Sequence, residues 1–146
     1  MSITISDGIG TISFSHPKSN SLPGALLQRL AEAITWLGRD QAARVIVLRS
    51  EGSGPFCAGA SFDELVDIAN VSEGEEFFSG FARVILAMIR APKFVIVRVH
   101  GRTAGGGVGI VAAGDYTFAV RSASAKLSEL AAVSYTHLTL PTTERV

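Results

Sequence analysis

Two glycine-containing turns and one glutamate carry the residue types from which chemistry could be built. The first turn is Phe56-Cys57-Ala58-Gly59-Ala60-Ser61 and the second is Ala104-Gly105-Gly106-Gly107-Val108-Gly109; each follows an apolar run and precedes a helical stretch. Glycine permits positive φ and close approach of backbone to a ligand. A helix start leaves amide N–H groups unpaired and carries partial positive charge. Two such turns facing each other can aim two backbone donors at one oxygen, which is what an oxyanion such as an enolate requires. The plainer alternative is a pair of tight packing turns. Glu129 follows Ala125-Lys126-Leu127-Ser128 and precedes apolar Leu130-Ala131-Ala132-Val133. A carboxylate among apolar neighbours holds its proton more tightly and can transfer it near neutral pH; a solvated glutamate at a helix start is the alternative.

Other chemistries fit less well. Gly107-Val108-Gly109-Ile110-Val111-Ala112 matches a dinucleotide pattern, with Glu129 about twenty residues on. An acid that binds ribose should end the next strand, whereas Val120 ends it here, so a nucleotide-binding α/β domain is the weaker reading. No phosphate-binding G-x-x-x-x-G-K-[ST] loop occurs, and no G-x-S-x-G nucleophile turn. His16, His100 and His137 share no ligand spacing, so no metal site is expected. Cys57 is the sole cysteine, with no base or cation nearby in sequence; it reads as a small buried thiol.

The elements that must position these residues alternate in type. Ile3, Ile5, Ile9, Ile12 and Phe14 flank Asp7-Gly8, predicting two short strands joined by a tight turn. His16 to Ser21 is a loop; Ser21 is the expected cap of the next helix, with Pro23 in its first turn. Leu26, Leu27, Leu30, Ala31, Ile34 and Leu37 recur at helical spacing, and Gly38 is the expected end. Arg44 to Arg49 reads as a buried strand, Phe62 to Ile68 as a short helix, and Ser72 to Arg90 as a longer one stopped by Ala91-Pro92. Lys93 to Val99 reads as a strand, His100 to Gly107 as a turn, Val108 to Ala113 as a helix and Tyr116 to Val120 as a strand. Such alternation predicts an α/β domain.

At 146 residues the chain makes one domain at most, given about 150 residues per domain. An apolar fraction of 47% with 18% charged residues describes a globular chain rather than a disordered one. Thirteen basic residues balance thirteen acidic ones, which argues against a nucleic-acid partner held by counterion release. The N-terminus lacks a basic start followed by an apolar stretch, and no run approaches the roughly 18 apolar residues of a membrane span. A cytoplasmic protein without a membrane partner is the expectation.

The order Phe56-Cys57-Ala58-Gly59-Ala60, Phe94 to Gly101, Ala104 to Gly109, Gly114-Asp115 and Lys126-Leu127-Ser128-Glu129 resembles the enoyl-CoA hydratase/isomerase (crotonase) family, over about Ile3 to Val133. The resemblance implies an α/β, crotonase-like spiral of ββα units, homotrimers or hexamers, and acyl-CoA thioester substrates. It implies no separate cofactor, because coenzyme A is part of the substrate. Carried over by position, the oxyanion-hole donors are the N–H groups of Ala60 and Gly106, and Glu129 is the glutamate that moves the proton beside the thioester. Ala58 offers the carbonyl that meets adenine, Gly59 and Gly105 belong to the substrate-binding turns, and Lys18 lies near the CoA phosphates.

Two departures from the family pattern stand out. Gly109 occupies the place of the first glutamate of dedicated hydratases, and Ser61 replaces a common Asp, although Ser61-Phe62-Asp63-Glu64-Leu65 resembles a methylglutaconyl-CoA hydratase subgroup. Paired carboxylates suit water addition and a single one suits double-bond migration; both reactions stay open. Beyond Val133 the family resemblance stops. The expected organisation is therefore a C-terminally truncated core, 1–133, and a Thr-rich non-family tail, 134–146, artefactual or disordered. A catalytically inactive fragment of such an enzyme is the alternative for the chain as it stands.

Overall fold

The computed structural model describes residues 1–128. The expectations for Glu129, His137, the domain limit at 133 and the tail 134–146 lie outside the described residues.

The chain opens with β1 (Ser2–Ser6) and β2 (Ile9–Phe14), an antiparallel hairpin. Its two-residue turn, Asp7-Gly8, takes positive φ at both positions (52° and 82°), the twist that matches paired strands. Helix α1 (Gly24–Arg39) then crosses to β3 (Val45–Ser50), which pairs parallel with β2. Two helices, α2 (Phe62–Val66) and α3 (Val71–Ile89), precede β4 (Val95–Val99), parallel to β3. The short β5 (Thr103–Ala104) leads into α4 (Gly106–Ala112), and β6 (Tyr116–Ala119) joins the sheet beside β4. The order β1-β2-β3-β4-β6 makes one five-stranded sheet, and β5 pairs with β7 (Ala125–Lys126) in a separate two-stranded ribbon.

The core forms where these periodicities meet. Strand β3 alternates, burying Ile46, Leu48 and Ser50, while β4 buries Val95, Val97 and Val99. Against them α1 lays down Leu26, Leu27, Leu30, Ala33, Ile34 and Leu37, all nearly or fully buried, as its spacing demands. Gly80 lets α3 reach α1, since a Cβ there would lie 2.8 Å from a Leu27 methyl carbon. Asp115 ties β4 to the turn before β6: its Oδ2 accepts from the Val95 N–H at 2.7 Å, and its own N–H donates to the Val95 carbonyl at 2.9 Å.

Three local expectations are corrected. Ser21 does not cap α1; the N-cap position is Pro23, and the Gly24 N–H donates to Oε2 of Glu64 on α2 at 2.8 Å. Ser21 Oγ instead meets His16 Nδ1 at 3.0 Å, because it stands too far before the first turn. Helix α1 runs past Gly38 to Arg39, where the Asp40 N–H closes it on the Trp36 carbonyl. Helix α4 begins at Gly106, two residues earlier than periodicity indicates, since glycines carry no apolar signal.

Candidate active site: two abutting turns

The first turn is anchored by pairing at both ends. Cys57 bridges Thr103 of β5, with the Phe56 N–H on the Arg102 carbonyl at 2.8 Å and the Ala104 N–H on the Cys57 carbonyl at 2.9 Å. Ala60 bridges Leu22, whose N–H donates to the Gly59 carbonyl at 2.8 Å. Gly59 takes φ +92° and presses on the second turn; a Cβ there would stand 3.1 Å from the Ala104 carbonyl oxygen. Ser61 then caps α2 on the Glu64 N–H.

The second turn contains three glycines in a row, each for a different reason. Gly105 adopts φ +55°, ψ −134°, a conformation confined to glycine. At Gly106 a Cβ would lie 2.6 Å from ring carbons of Phe81 on α3, and at Gly107 it would lie 2.7 Å from Cys57 Sγ. The Gly105 N–H is taken by the Lys126 carbonyl at 3.0 Å, which ties β7 to this turn.

Among the described residues, neither the Ala60 nor the Gly106 amide has a hydrogen-bond partner. Peptide planarity fixes where each points, because C=O and N–H of one trans unit are opposed. The Gly105 carbonyl accepts from the Val108 N–H at 2.9 Å inside α4, so the Gly106 N–H faces out of the helix start. The Gly59 carbonyl faces Leu22, so the Ala60 N–H faces away from it.

The remaining sequence-derived positions fall around these turns. Ala58 is half-buried beside buried Gly59. Lys18 is exposed and its ammonium pairs with Asp63 on α2. Gly109 is half-buried on α4, where a Cβ would lie 3.2 Å from the Ile85 Cδ1 methyl. Cys57 is buried, and burial pushes its thiol up to about 11 against a weaker opposing hydrogen bond from the Gly59 N–H. It is not a nucleophile near neutral pH.

Beside the turns a cleft of about 350 Å³ opens between α1, α2 and α3, lined in part by Glu64, Asp67, Phe77, Gly80 and Arg83. Gly80 adjoins Phe81, whose ring abuts Gly106. Three of the lining acids are already engaged: Glu64 caps α1, Glu73 accepts from the Ala69 N–H and Asn70 Nδ2, and Glu76, its carboxyl held low chiefly by a hydrogen bond from Arg83, pairs with that guanidinium. Sequence reasoning missed Asn20, Glu64 and Phe81. Asn20 takes positive φ (56°), a conformation asparagine adopts more readily than most residues, so its residue type in a loop was the one signal in the sequence.

A mostly parallel five-stranded sheet with two abutting glycine-containing turns places the chain among mixed α/β proteins. The family profile for Enoyl-CoA hydratase/isomerase matches residues 4–137, and the chain belongs to that family. It is 32% identical over 129 residues to a (7aS)-7a-methyl-1,5-dioxo-2,3,5,6,7,7a-hexahydro-1H-indene-carboxyl-CoA hydrolase of Rhodococcus jostii, covering 88% of this chain and 50% of that one. It is 36% identical over 110 residues to the mitochondrial methylglutaconyl-CoA hydratase of Homo sapiens, covering 75% of this chain and 32% of the relative. The crystal structure of an enoyl-CoA hydratase from Mycobacterium smegmatis superposes with a TM-score of 0.83 at 32% identity, over 89% of this chain and 51% of that one. The fold is thus crotonase-like, as the motifs imply, and the chain spans about half or less of the length of these relatives. Among the described residues no helix is long and apolar enough to cross a membrane.

Proposed function

We propose that this protein polarises the carbonyl of an acyl-CoA thioester between the Ala60 and Gly106 N–H groups and moves a proton on the adjacent carbon with Glu129. The observation that carries this reading is the pair of amides on abutting turns that have no hydrogen-bond partner among the described residues. As the Glu129 carboxylate takes a proton from that carbon, the C–H electron pair becomes the enolate double bond and negative charge gathers on the thioester oxygen. Two preorganised donors at that oxygen stabilise the charge without reorganisation. Glu129 stands three residues beyond Lys126, whose carbonyl is bonded to the Gly105 N–H. Ala58, Gly59 and Gly105 would hold the CoA arm and the thioester. Lys18, whose ammonium forms a surface ion pair, would exchange Asp63 for phosphate. Trimers or paired trimers are the assembly proposed for it.

Between hydration and double-bond migration, the surroundings of Gly109 favour migration. The Ile85 methyl next to it makes the neighbourhood apolar, where a second carboxylate would be needed to activate water. Returning the proton to a carbon two positions further along the chain completes an isomerisation with one base.

The test compares 3-enoyl-CoA isomerisation with 2-enoyl-CoA hydration in the chain and in Glu129→Gln. Isomerisation should outpace hydration, and Glu129→Gln should lose at least about a hundredfold in turnover while still binding the CoA ester. Full turnover in the variant removes Glu129 from the mechanism. Neither binding nor turnover in the unmodified chain would leave it an inactive portion of such an enzyme.

A further inference from the structure

The loop before α1 contains a buried polar side chain that the mechanism above does not use. Asn20 is 6% exposed and sits at φ 56°. Its Oδ1 accepts from the His16 N–H at 2.8 Å, and its Nδ2 donates to the Glu51 carbonyl at 2.9 Å and the Pro55 carbonyl at 3.0 Å. Both amide hydrogens and the oxygen are therefore engaged, which is nearly all an asparagine side chain can offer. These bonds fasten the 16–21 loop to the segment that feeds directly into Phe56-Cys57-Ala58-Gly59-Ala60. Two residues after Asn20, the Leu22 N–H reaches the Gly59 carbonyl at 2.8 Å.

We propose that Asn20 is a positioning residue for the Ala60 amide, acting through the Leu22–Gly59 hydrogen bond. The Gly59 carbonyl and the Ala60 N–H belong to one planar peptide unit, and no cis peptide bond occurs among the described residues. Rotation of that unit moves both groups together. Whatever holds the carbonyl on Leu22 therefore holds the N–H on the side where a substrate oxygen would lie. Leu22 is held in turn by the fixed distance that Asn20 imposes between the loop and residues 51–55. A donor moved off line by a few tenths of an ångström loses much of its effect on a developing charge, because hydrogen bonds weaken steeply with misalignment. The functional half of this claim rests on the thioester reading above; the geometric half does not.

The experiment uses Asn20→Gly, which accepts the positive φ and removes only the side chain, with Asn20→Asp as the variant that keeps Oδ1 and loses both donors. Amide exchange and the Ala60 resonance are followed by NMR. In Asn20→Gly the Leu22 amide should exchange at least about tenfold faster and the Ala60 amide resonance should move, while Leu48 and Val97 keep their protection. Uniform loss of protection, or an unchanged Leu22, overturns the proposal. With a carbonyl-labelled acyl-CoA, the unmodified chain should lower the C=O stretching frequency, and both variants should recover part of the free value. Turnover should fall about tenfold or more with KM within about threefold, since a misdirected donor is a milder loss than the 10²–10³ of a deleted one. No frequency shift in the unmodified chain would refute the thioester reading and leave the Leu22 result to judge Asn20. A normal shift in both variants would refute Asn20 alone.

Discussion

The two turns that meet at the candidate site achieve the same end by opposite means. The first, Phe56 to Ser61, is aimed by bonds from distant parts of the chain: Leu22 on Gly59, Asn20 on Glu51 and Pro55, and Glu64 back onto α1. The second, Gly105 to Gly107, is aimed by what is missing: Gly105 takes a backbone conformation confined to glycine, and Gly106 and Gly107 leave room that Phe81 and Cys57 fill. Directed bonds can be loosened one at a time and the donor drifts. Steric fit has no such gradation, and a single added methyl group forces either the helix start or its neighbour to move. The first turn should therefore respond gradually to mutation and the second abruptly.

The strongest way to break this contrast is Gly106→Ala. Its Cβ would lie 2.6 Å from the Phe81 ring, so α4 or Phe81 must shift. We expect a stability loss of about 1–3 kcal/mol and a fall in turnover of about a hundredfold, read by thermal melting and by the isomerase assay. Near-normal turnover would show that the second turn yields as readily as the first.

A second effect belongs to the seam between the turns. Cys57 is buried there with its thiol pushed up to about 11 from 9.0. An acid whose folded pKa is raised keeps its proton longer in the folded state, so stability holds below pH 9 and declines between pH 9 and 11. The slope should reach at most about 1.4 kcal/mol per pH unit. Denaturant midpoints across that window in the chain and in Cys57→Ala would separate this thiol from other groups; equal slopes would remove it as the cause.

The smallest effect is expected at the bracing of the first turn. Glu64→Ala frees the Gly24 N–H of α1 and detaches α2 from it. The cost should be about 1 kcal/mol, the usual value of a lost helix cap. Melting curves test this directly, and a loss as large as that of Gly106→Ala would erase the distinction between the turns.

How far the sequence revealed this arrangement depends on how local each cause is. The apolar spacing of Leu26 to Leu37 and the runs Arg44 to Arg49 and Lys93 to Val99 specify their elements within a few residues of the observed ends, because burial periodicity is local. The two-residue strands β5 and β7 were hidden inside a turn and a polar stretch, since they exist only by pairing with each other and, through Thr103, with Cys57. Glu64 as the cap of α1 spans forty residues, and no pattern announces a bond of that range. At the site, the glycine spacing located the two turns and the family resemblance singled out Ala60 and Gly106 within them; Asn20, bonded to Glu51 and Pro55, and Phe81, against Gly106, meet these segments from other elements and were legible only in three dimensions.

The receptor for negative charge proposed above, made from main-chain N–H groups, would have a consequence for how such a protein diversifies. No single side-chain replacement removes the Ala60 or Gly106 amide, proline excepted. An alanine scan would leave both donors in place and would report the Glu129 carboxylate and the residues that prop the two turns up. The side chain at position 60 is correspondingly free to change size and polarity without erasing the donor beneath it. Substrate preference can drift there while the reaction type stays put.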